Sequence, residues 1–286
     1  MPPDPSAPDD CTADFIVFGD SQGSFGYIWP VAPSFDNMVS LLNEMDAPFA
    51  VHVGDMYVGD SFFAADVDKQ AATFQKDVAK LVMPLYPVMG NHDAQGKGWI
   101  VARDIFFHGD RTYYSFDNGD SHFIILDAYI PDSWSSISDE QIRWLEDDLR
   151  RNTKPHIFVF VHAPLYPLGW HKGTSLDLDI ELRDRLASLL IEYQADVIFN
   201  GHEHFYASFE YGGLMQVTTG GAGAKLRTPA QYDELIEEYG YTADEITRWK
   251  AVKELHFVCV NTTGTHIEVS AHNLEGDLID QFVLPS

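Results

Sequence analysis

The sequence predicts an α/β fold. Short apolar runs alternate with stretches of helical periodicity from residue 15 to residue 200, and such alternation argues for a sheet covered by helices. The runs are continuous and do not alternate with polar residues, the mark of strands buried on both faces. Several stop abruptly at Gly-Asp or at a histidine.

Phe15 to Phe18 is the first run; it closes on Gly19-Asp20, with Ser21-Gln22-Gly23-Ser24 as loop. Met38, Leu41, Leu42 and Met45 then fall at helical spacing within 35–45. Phe49 to Val53 is a second strand and ends on Gly54-Asp55. A helix rich in Ala, Lys and Gln fills much of 62–81, and a third strand over 84–89 ends in Gly90-Asn91-His92-Asp93. Residues 112–116 and 122–126 flank Asn118-Gly119-Asp120, a hairpin with the turn chemistry such pairs favour. Ser138-Asp139-Glu140-Gln141 has capping-box form ahead of Ile142, Leu145 and Leu149, and starts a helix. Ile157 to Val161 delivers His162, a helix covers 180–193, and Val197 to Phe199 leads to Asn200-Gly201-His202-Glu203-His204.

The remainder reads differently. Met215 to Thr219 runs into Gly220-Gly221-Ala222-Gly223, and short runs at 255–260, 267–271 and 278–284, with a turn at 273–276, close the sequence. The polar stretch 226–252 is expected to be helical in part, either a lid-like insertion beside the glycine-rich turn or a surface helix without function. Residues 1–13, proline-rich and acidic, read as a disordered arm.

With 286 residues, 45% of them hydrophobic, the chain can bury a large core without a linker. The balance of 18 Lys+Arg against 44 Asp+Glu gives a net charge of −26, so the average surface repels nucleic acid and anionic membranes, and no nucleic-acid partner is expected. The two cysteines, Cys11 and Cys259, form no CxxC pair, which excludes thiolate metal sites and redox motifs. No run of apolar residues is long enough to span a membrane. The leader lacks the basic and apolar regions of a signal peptide. It could be what remains after one was cleaved, which would make a soluble secreted or periplasmic protein; oligomeric state is open.

Five strand ends carry Asp20, Asp55, Asn91, His162 and the pair His202/His204. In open α/β sheets ligands bind outside the carboxyl ends of the strands, where these side chains could converge. Any single Gly-Asp is more often a turn, and a lone histidine more often a core residue. The pair at 202 and 204 is stronger, because alternate residues of an extended segment point the same way. Oxygen and imidazole donors without thiolates suit Zn, Fe, Mn or Co, and so many donors fit two ions sharing a carboxylate.

In order, Gly19-Asp20-Ser21-Gln22, Gly54-Asp55, Gly90-Asn91-His92-Asp93, His162 and Gly201-His202-Glu203-His204 make the sequence resemble the calcineurin-like metallophosphoesterases, over about 14–224. The resemblance implies a four-layer α/β/β/α sandwich of two mixed sheets flanked by helices, with a dimetal site at the carboxyl ends of the strands and residues 14–286 as one domain. It places Asp20, Asp55 and His204 on one metal and Asp55, Asn91, His162 and His202 on the other. It implies that His92 faces a substrate phosphate, with Asp93 orienting its ring, and that a metal-bridged hydroxide attacks phosphorus in a small phosphomonoester or phosphodiester.

Departures qualify the match. The family's commonest first block carries a histidine where Gln22 stands, so Gln22 is either a neutral metal ligand or a loop amide. The purple acid phosphatase branch also lacks that histidine. Its HxPxY segment is matched by His162-Ala163-Pro164-Leu165-Tyr166, and His171 stands at the offset of its second histidine, as a substrate-contacting or proton-donating residue or else an exposed loop histidine. That branch's tyrosine ligand is replaced by Val58, with Tyr57 one residue early. The rival reading is a non-catalytic metal-binding interaction scaffold of the same fold.

Overall fold

The computed structural model describes residues 12–23, 29–59, 64–107, 109, 111–131, 134–264 and 266–285. Cys11, Ser24, the arm up to residue 11 and the expected helix start at 62–63 lie outside these residues. At the end of the leader, Thr12 bridges Asp46 and Ala13 is buried.

The elements follow in order as β1 Phe15–Phe18, α1 Phe35–Leu42, β2 Ala50–His52, α2 Ala64–Val78, β3 Leu85–Pro87, α3 Asn91–Ala94 and α4 Gly98–Ala102. Next come the hairpin β4 Tyr114–Asn118 and β5 Ser121–Ile125, then α5 Asp139–Arg151, β6 His156–Phe160, α6 Ile180–Glu192, β7 Val197–Asn200, β8 Tyr206–Tyr211 and β9 Leu214–Thr219. The chain closes with α7 Tyr232–Glu237, β10 Ile246–Val252, β11 His256–Thr263, β12 His266–Asn273 and β13 Leu278–Pro285.

Two mixed sheets form, in the orders β13-β12-β11-β1-β2-β3 and β10-β8-β9-β7-β6-β5-β4. The period-two alternation of a strand decides which side chain meets which layer. Phe15, Val17 and Val51 of one sheet meet Phe123, Phe158 and Phe199 of the other in an inner core, where the Phe15 ring centre lies 5.0 Å from that of Phe123 and 4.8 Å from that of Phe158. Their neighbours Ile16, Phe18, Ala50, Val159 and Ile198 face outward onto Phe35, Phe74, Leu145 and Leu190 of the covering helices. The layers are thus helix, sheet, sheet, helix.

Two strands escape the sequence reading. β8 follows the paired histidines directly, and β10 occupies the second half of the 226–252 interruption, extending the second sheet against β8. β10 is only partly buried along its length, so its edge position leaves no continuous apolar run to read. The first half of the interruption holds α7, as the partial helix expected there. Among the described residues, no helix is long and apolar enough to cross a membrane.

α5 starts where its cap predicts: Ser138 Oγ accepts the Gln141 amide at 3.2 Å. Behind this helix, His122 of β5 bonds Asp117 at 2.7 Å and Asp148 of α5 at 2.9 Å. Burial opposes its charged form, but Asp148 and Asp117 raise its pKa above the ordinary value. The pair's contribution is therefore complete below the unfolded histidine pKa and fades as pH rises through the folded one. His122→Gln should lower the melting temperature by a few degrees at about pH 6 and by less at about pH 9. Equal shifts in thermal unfolding at both pH values would contradict the ion pair.

Candidate metal centre

The loops following β1, β2 and β3 of one sheet and β6 and β7 of the other reach one rim. Backbone hydrogen bonds tie them together: Asp20 N to Gly54 O at 2.9 Å, Gln22 N to Asp55 O at 3.1 Å, and Gly201 N to His162 O at 3.1 Å. The glycine-rich turn closes over the same place, Ala222 N donating to Gly19 O and Ala224 N to Asp20 O.

Four residues at this rim hold left-handed backbone: Asp20 at φ 61°, Asp55 at 57°, His202 at 72° and His204 at 51°. Such a conformation costs a non-glycine residue about 1–3 kcal/mol and persists where surrounding structure compels it. The adjoining glycines supply the room. Gly54 has φ 95° and a Cβ there would lie 2.6 Å from His162 Nδ1; one on Gly201 would collide with Asp20 Oδ2.

Asp55, Asp20 and His204 place ligand atoms together, as do Asp55, His162 and His202, so Asp55 belongs to both groups. Asn91 joins the second, its Oδ1 3.2 Å from His162 Nε2, and His202 Nδ1 is 3.2 Å from that same nitrogen. Gln22 borders the first: its amide nitrogen donates to Asp55 Oδ2 at 2.9 Å and lies 3.2 Å from His204 Nε2, so the nitrogen and not the ligating oxygen faces the group.

The proton positions are informative. His162 donates Nδ1–H to Val53 O at 2.7 Å, and His204 donates Nδ1–H to Lys225 O at 3.1 Å. In the neutral rings each Nε2 lone pair then faces carboxylate oxygen, Asp55 Oδ2 at 3.4 Å and Asp20 Oδ1 at 3.3 Å. Lone pair against lone pair is repulsive, and a cation between them would relieve it beyond what the Gln22 amide and the His202 ring offer. Without a metal a proton serves: burial opposes it, yet Asp55 and Asp20 push His162 up to about 9, and Asp20 raises His204. Burial would raise the Asp55 carboxyl, but His162 and His92 hold it well below the usual range. His202 goes the other way, lowered by burial and by His171 and His162. Buried Gln22 Oε1 and His202 Nε2 have no hydrogen-bond partner. Orphaned donors around two buried carboxylates fit metal ions better than solvent.

His92 stands beside Asp55, its amide donating to Asp55 Oδ1 at 2.8 Å and its ring Nδ1–H to Val58 O at 2.6 Å. Asp93 takes a different part from the one anticipated. Its carboxylate accepts three backbone amides, from Asp55 and Gly90 on Oδ2 and from Met56 on Oδ1, so it shapes the loop that presents Asp55, while Val58 O bonds the His92 ring. His171 reaches the site; its ring centre is 3.7 Å from that of His202 and 6.5 Å from that of His204. Tyr57 is buried in the core, 6.5 Å from Phe106 between ring centres.

Three residues of the site were not anticipated. Tyr129, after β5, is buried with its ring 5.9 Å from His162 and 6.4 Å from His202. Burial and the Asp55 charge push its pKa well up, so its hydroxyl stays neutral. It stands past the end of β5 but beyond Asp127, the first polar residue there, so the strand-end rule passes over it. Glu203, fully buried, accepts the Leu168 amide at 2.6 Å and the His171 amide at 3.0 Å, fixing the loop that carries His171. His52 Nδ1 accepts the Gly54 amide, and its Nε2–H donates to Ser21 Oγ at 2.9 Å, beneath the first two loops.

The Calcineurin-like phosphoesterase family profile matches residues 13–206. Purple acid phosphatase 22 of Arabidopsis thaliana is 33% identical over 116 residues, 39% of this chain and 25% of the relative. Acid phosphatase type 7 of Mus musculus is 25% identical over 79% of this chain and 59% of its own length. The chain thus spans about a quarter of the plant relative and over half of the mouse one. A purple acid phosphatase from yellow lupin (Lupinus luteus) seeds superposes with a TM-score of 0.74 at 19% identity, over 95% of this chain and 53% of the lupin chain.

If the two groups each hold an ion, elemental analysis of protein purified without chelator should find close to two metals per chain. Asp55→Asn should reduce occupancy of both sites. Gln22→Ala should weaken only the site shared with Asp20 and His204, by about tenfold or more in a manganese titration; an unchanged titration would remove Gln22 from the ligand set.

Proposed function

The chain belongs to the calcineurin-like phosphoesterase family, and we propose that it is a dinuclear metal-dependent phosphoester hydrolase. One observation carries the reading: two ligand groups meet at a single buried carboxylate, Asp55. Asp20, Gln22 and His204 would complete one metal site and Asn91, His162 and His202 the other. Ions of the Fe, Zn, Mn or Co type bound there supply positive charge that polarises a phosphate and acidifies the attacking water. Residues 14–286 would act as one domain, since β11 to β13 complete the sheet begun by β1.

The protein's own groups do the rest. Val58 O fixes the His92 ring through Nδ1 and leaves Nε2 available; an N–H there would donate to a phosphate oxygen and offset the charge that builds in the transition state. His171 is held by its own amide on Glu203 and by its ring on His202. Burial and His204 push its pKa down to about 4, so the resting ring is neutral. It stands as a substrate contact through its ring N–H, and would serve as proton donor to the leaving oxygen only when charged. Tyr129 screens the His162 and His202 imidazoles from solvent on one side, which strengthens every electrostatic interaction there.

Hydrolysis of p-nitrophenyl phosphate and bis-p-nitrophenyl phosphate, with manganese, zinc or iron supplied, tests the activity and separates monoester from diester preference. His92→Ala should keep its metal content and lose about 10²- to 10³-fold in kcat. Activity equal to the parent would remove His92 from the mechanism, and no hydrolysis by the metal-loaded parent would overturn the function.

A further inference from the structure

The peptide group that joins Val58 to Gly59 is hydrogen-bonded at both of its polar ends. Its carbonyl accepts the His92 ring Nδ1–H at 2.6 Å, and its N–H donates to Gln70 Oε1 of α2 at 3.0 Å. The group has little freedom to turn. Val58 N donates to Pro30 O at 3.0 Å, and Gly59, at φ 65°, packs so closely on the His92 backbone that a Cβ there would collide with the His92 carbonyl oxygen. Gln70 and His92 thus hold opposite ends of one dipole.

Gln70 is placed where packing alone would select an apolar residue. It belongs to the row Val67, Gln70, Ala71 and Phe74, which faces inward because residues three and four apart share one side of a helix. Phe74 anchors the row, its ring stacked on Phe35 with centres 5.8 Å apart and edge-on to Phe106 at 5.6 Å. Gln70 is 6% exposed, and its Nε2 is buried without a hydrogen-bond partner. A buried donor left unmade destabilises the fold. Its oxygen makes the side chain's one hydrogen bond among the described residues, and that bond goes to the peptide on which the His92 ring rests.

We infer that Gln70 is a positioning residue for His92, acting through the Val58–Gly59 peptide. Its consequence for turnover rests on the proposed hydrolase reading. An acceptor at the N–H end of a peptide draws electron density toward the carbonyl oxygen, and hydrogen bonds in a chain strengthen one another. Gln70 thereby tightens the bond that fixes the ring through Nδ1 and stops the peptide from turning away. It touches neither the reacting phosphate nor the ligand groups; the ring of His92 carries its effect.

Gln70→Met keeps the volume and removes the oxygen. With manganese saturating, its kcat for p-nitrophenyl phosphate should fall about tenfold at unchanged metal content and little-changed KM. Gln70→Glu, which keeps an acceptor oxygen in either protonation state, should recover kcat to within about threefold of the parent. In the His92→Ala background Gln70→Met should alter kcat by less than about twofold. A residue that served packing alone would show equal losses in both backgrounds and no recovery with glutamate. A further measurement needs no turnover: the His92 Nδ1–H resonance, assigned by its absence from His92→Ala, should exchange with solvent about tenfold faster in Gln70→Met. Gln70→Leu carries the same comparisons if the methionine variant does not fold. Parental kcat in the variant, equal losses in the two backgrounds, or unchanged exchange would overturn the inference while hydrolysis by the parent stands. Failure of the metal-loaded parent on every phosphoester would instead overturn the hydrolase reading, and faster exchange in Gln70→Met would still uphold the hold on the His92 ring.

Discussion

Much of this structure answers to the burial of two carboxylates. Asp20 and Asp55 are 0% and 1% exposed, and an ionised carboxylate so placed is costly unless paired and hydrogen-bonded. The surroundings meet that demand in layers. His202 N donates to both Asp20 oxygens and His92 N to Asp55 Oδ1, while His162 and His204 stand opposite with their own protons committed elsewhere. The remaining positive charge has to be a proton or a metal. A site that protonates when empty binds metal in competition with protons, so its metal affinity must fall as pH falls.

The same requirement explains the backbone. Carboxylates and imidazoles from both sheets can reach a volume this small only if the loops turn back sharply, and the left-handed conformations at Asp20, Asp55, His202 and His204 do that. The strain is balanced by the cross-links beneath. Asp93 gathers the amides of Asp55, Met56 and Gly90, and His52 and Ser21 join the second loop to the first. Asp93 itself is pushed up to about 8 by burial and by the Asp55 charge, so loop shape and ligand charge are coupled through one hydrogen-bonded group.

This division also explains what the sequence disclosed. Residues whose position is set by a strand end were legible, because a buried strand announces itself as an apolar run and the next polar residue is forced onto the rim; Asp20, Asp55, His162 and His202 all follow that rule. Residues whose role depends on where a loop folds back were not. Glu203 lies between two histidines and gives no sign that it fastens the chain at Leu168 and His171. The part played by Asp93 was misjudged for a related reason, since sequence adjacency to His92 says nothing about which side its carboxylate turns to. β10 was missed because an edge strand with one wet face keeps no apolar continuity.

The acidic surface as a whole and the cationic residues beside the candidate site act over different distances. At physiological ionic strength charges are screened beyond about 8 Å, so most of the −26 is invisible to an anion already at the rim. Far out, the weak net repulsion disfavours polyanions large enough to touch much surface, such as nucleic acid. Close in, the backbones of Lys225 and Arg227 are hydrogen-bonded to His204, so two cationic residues border the candidate site.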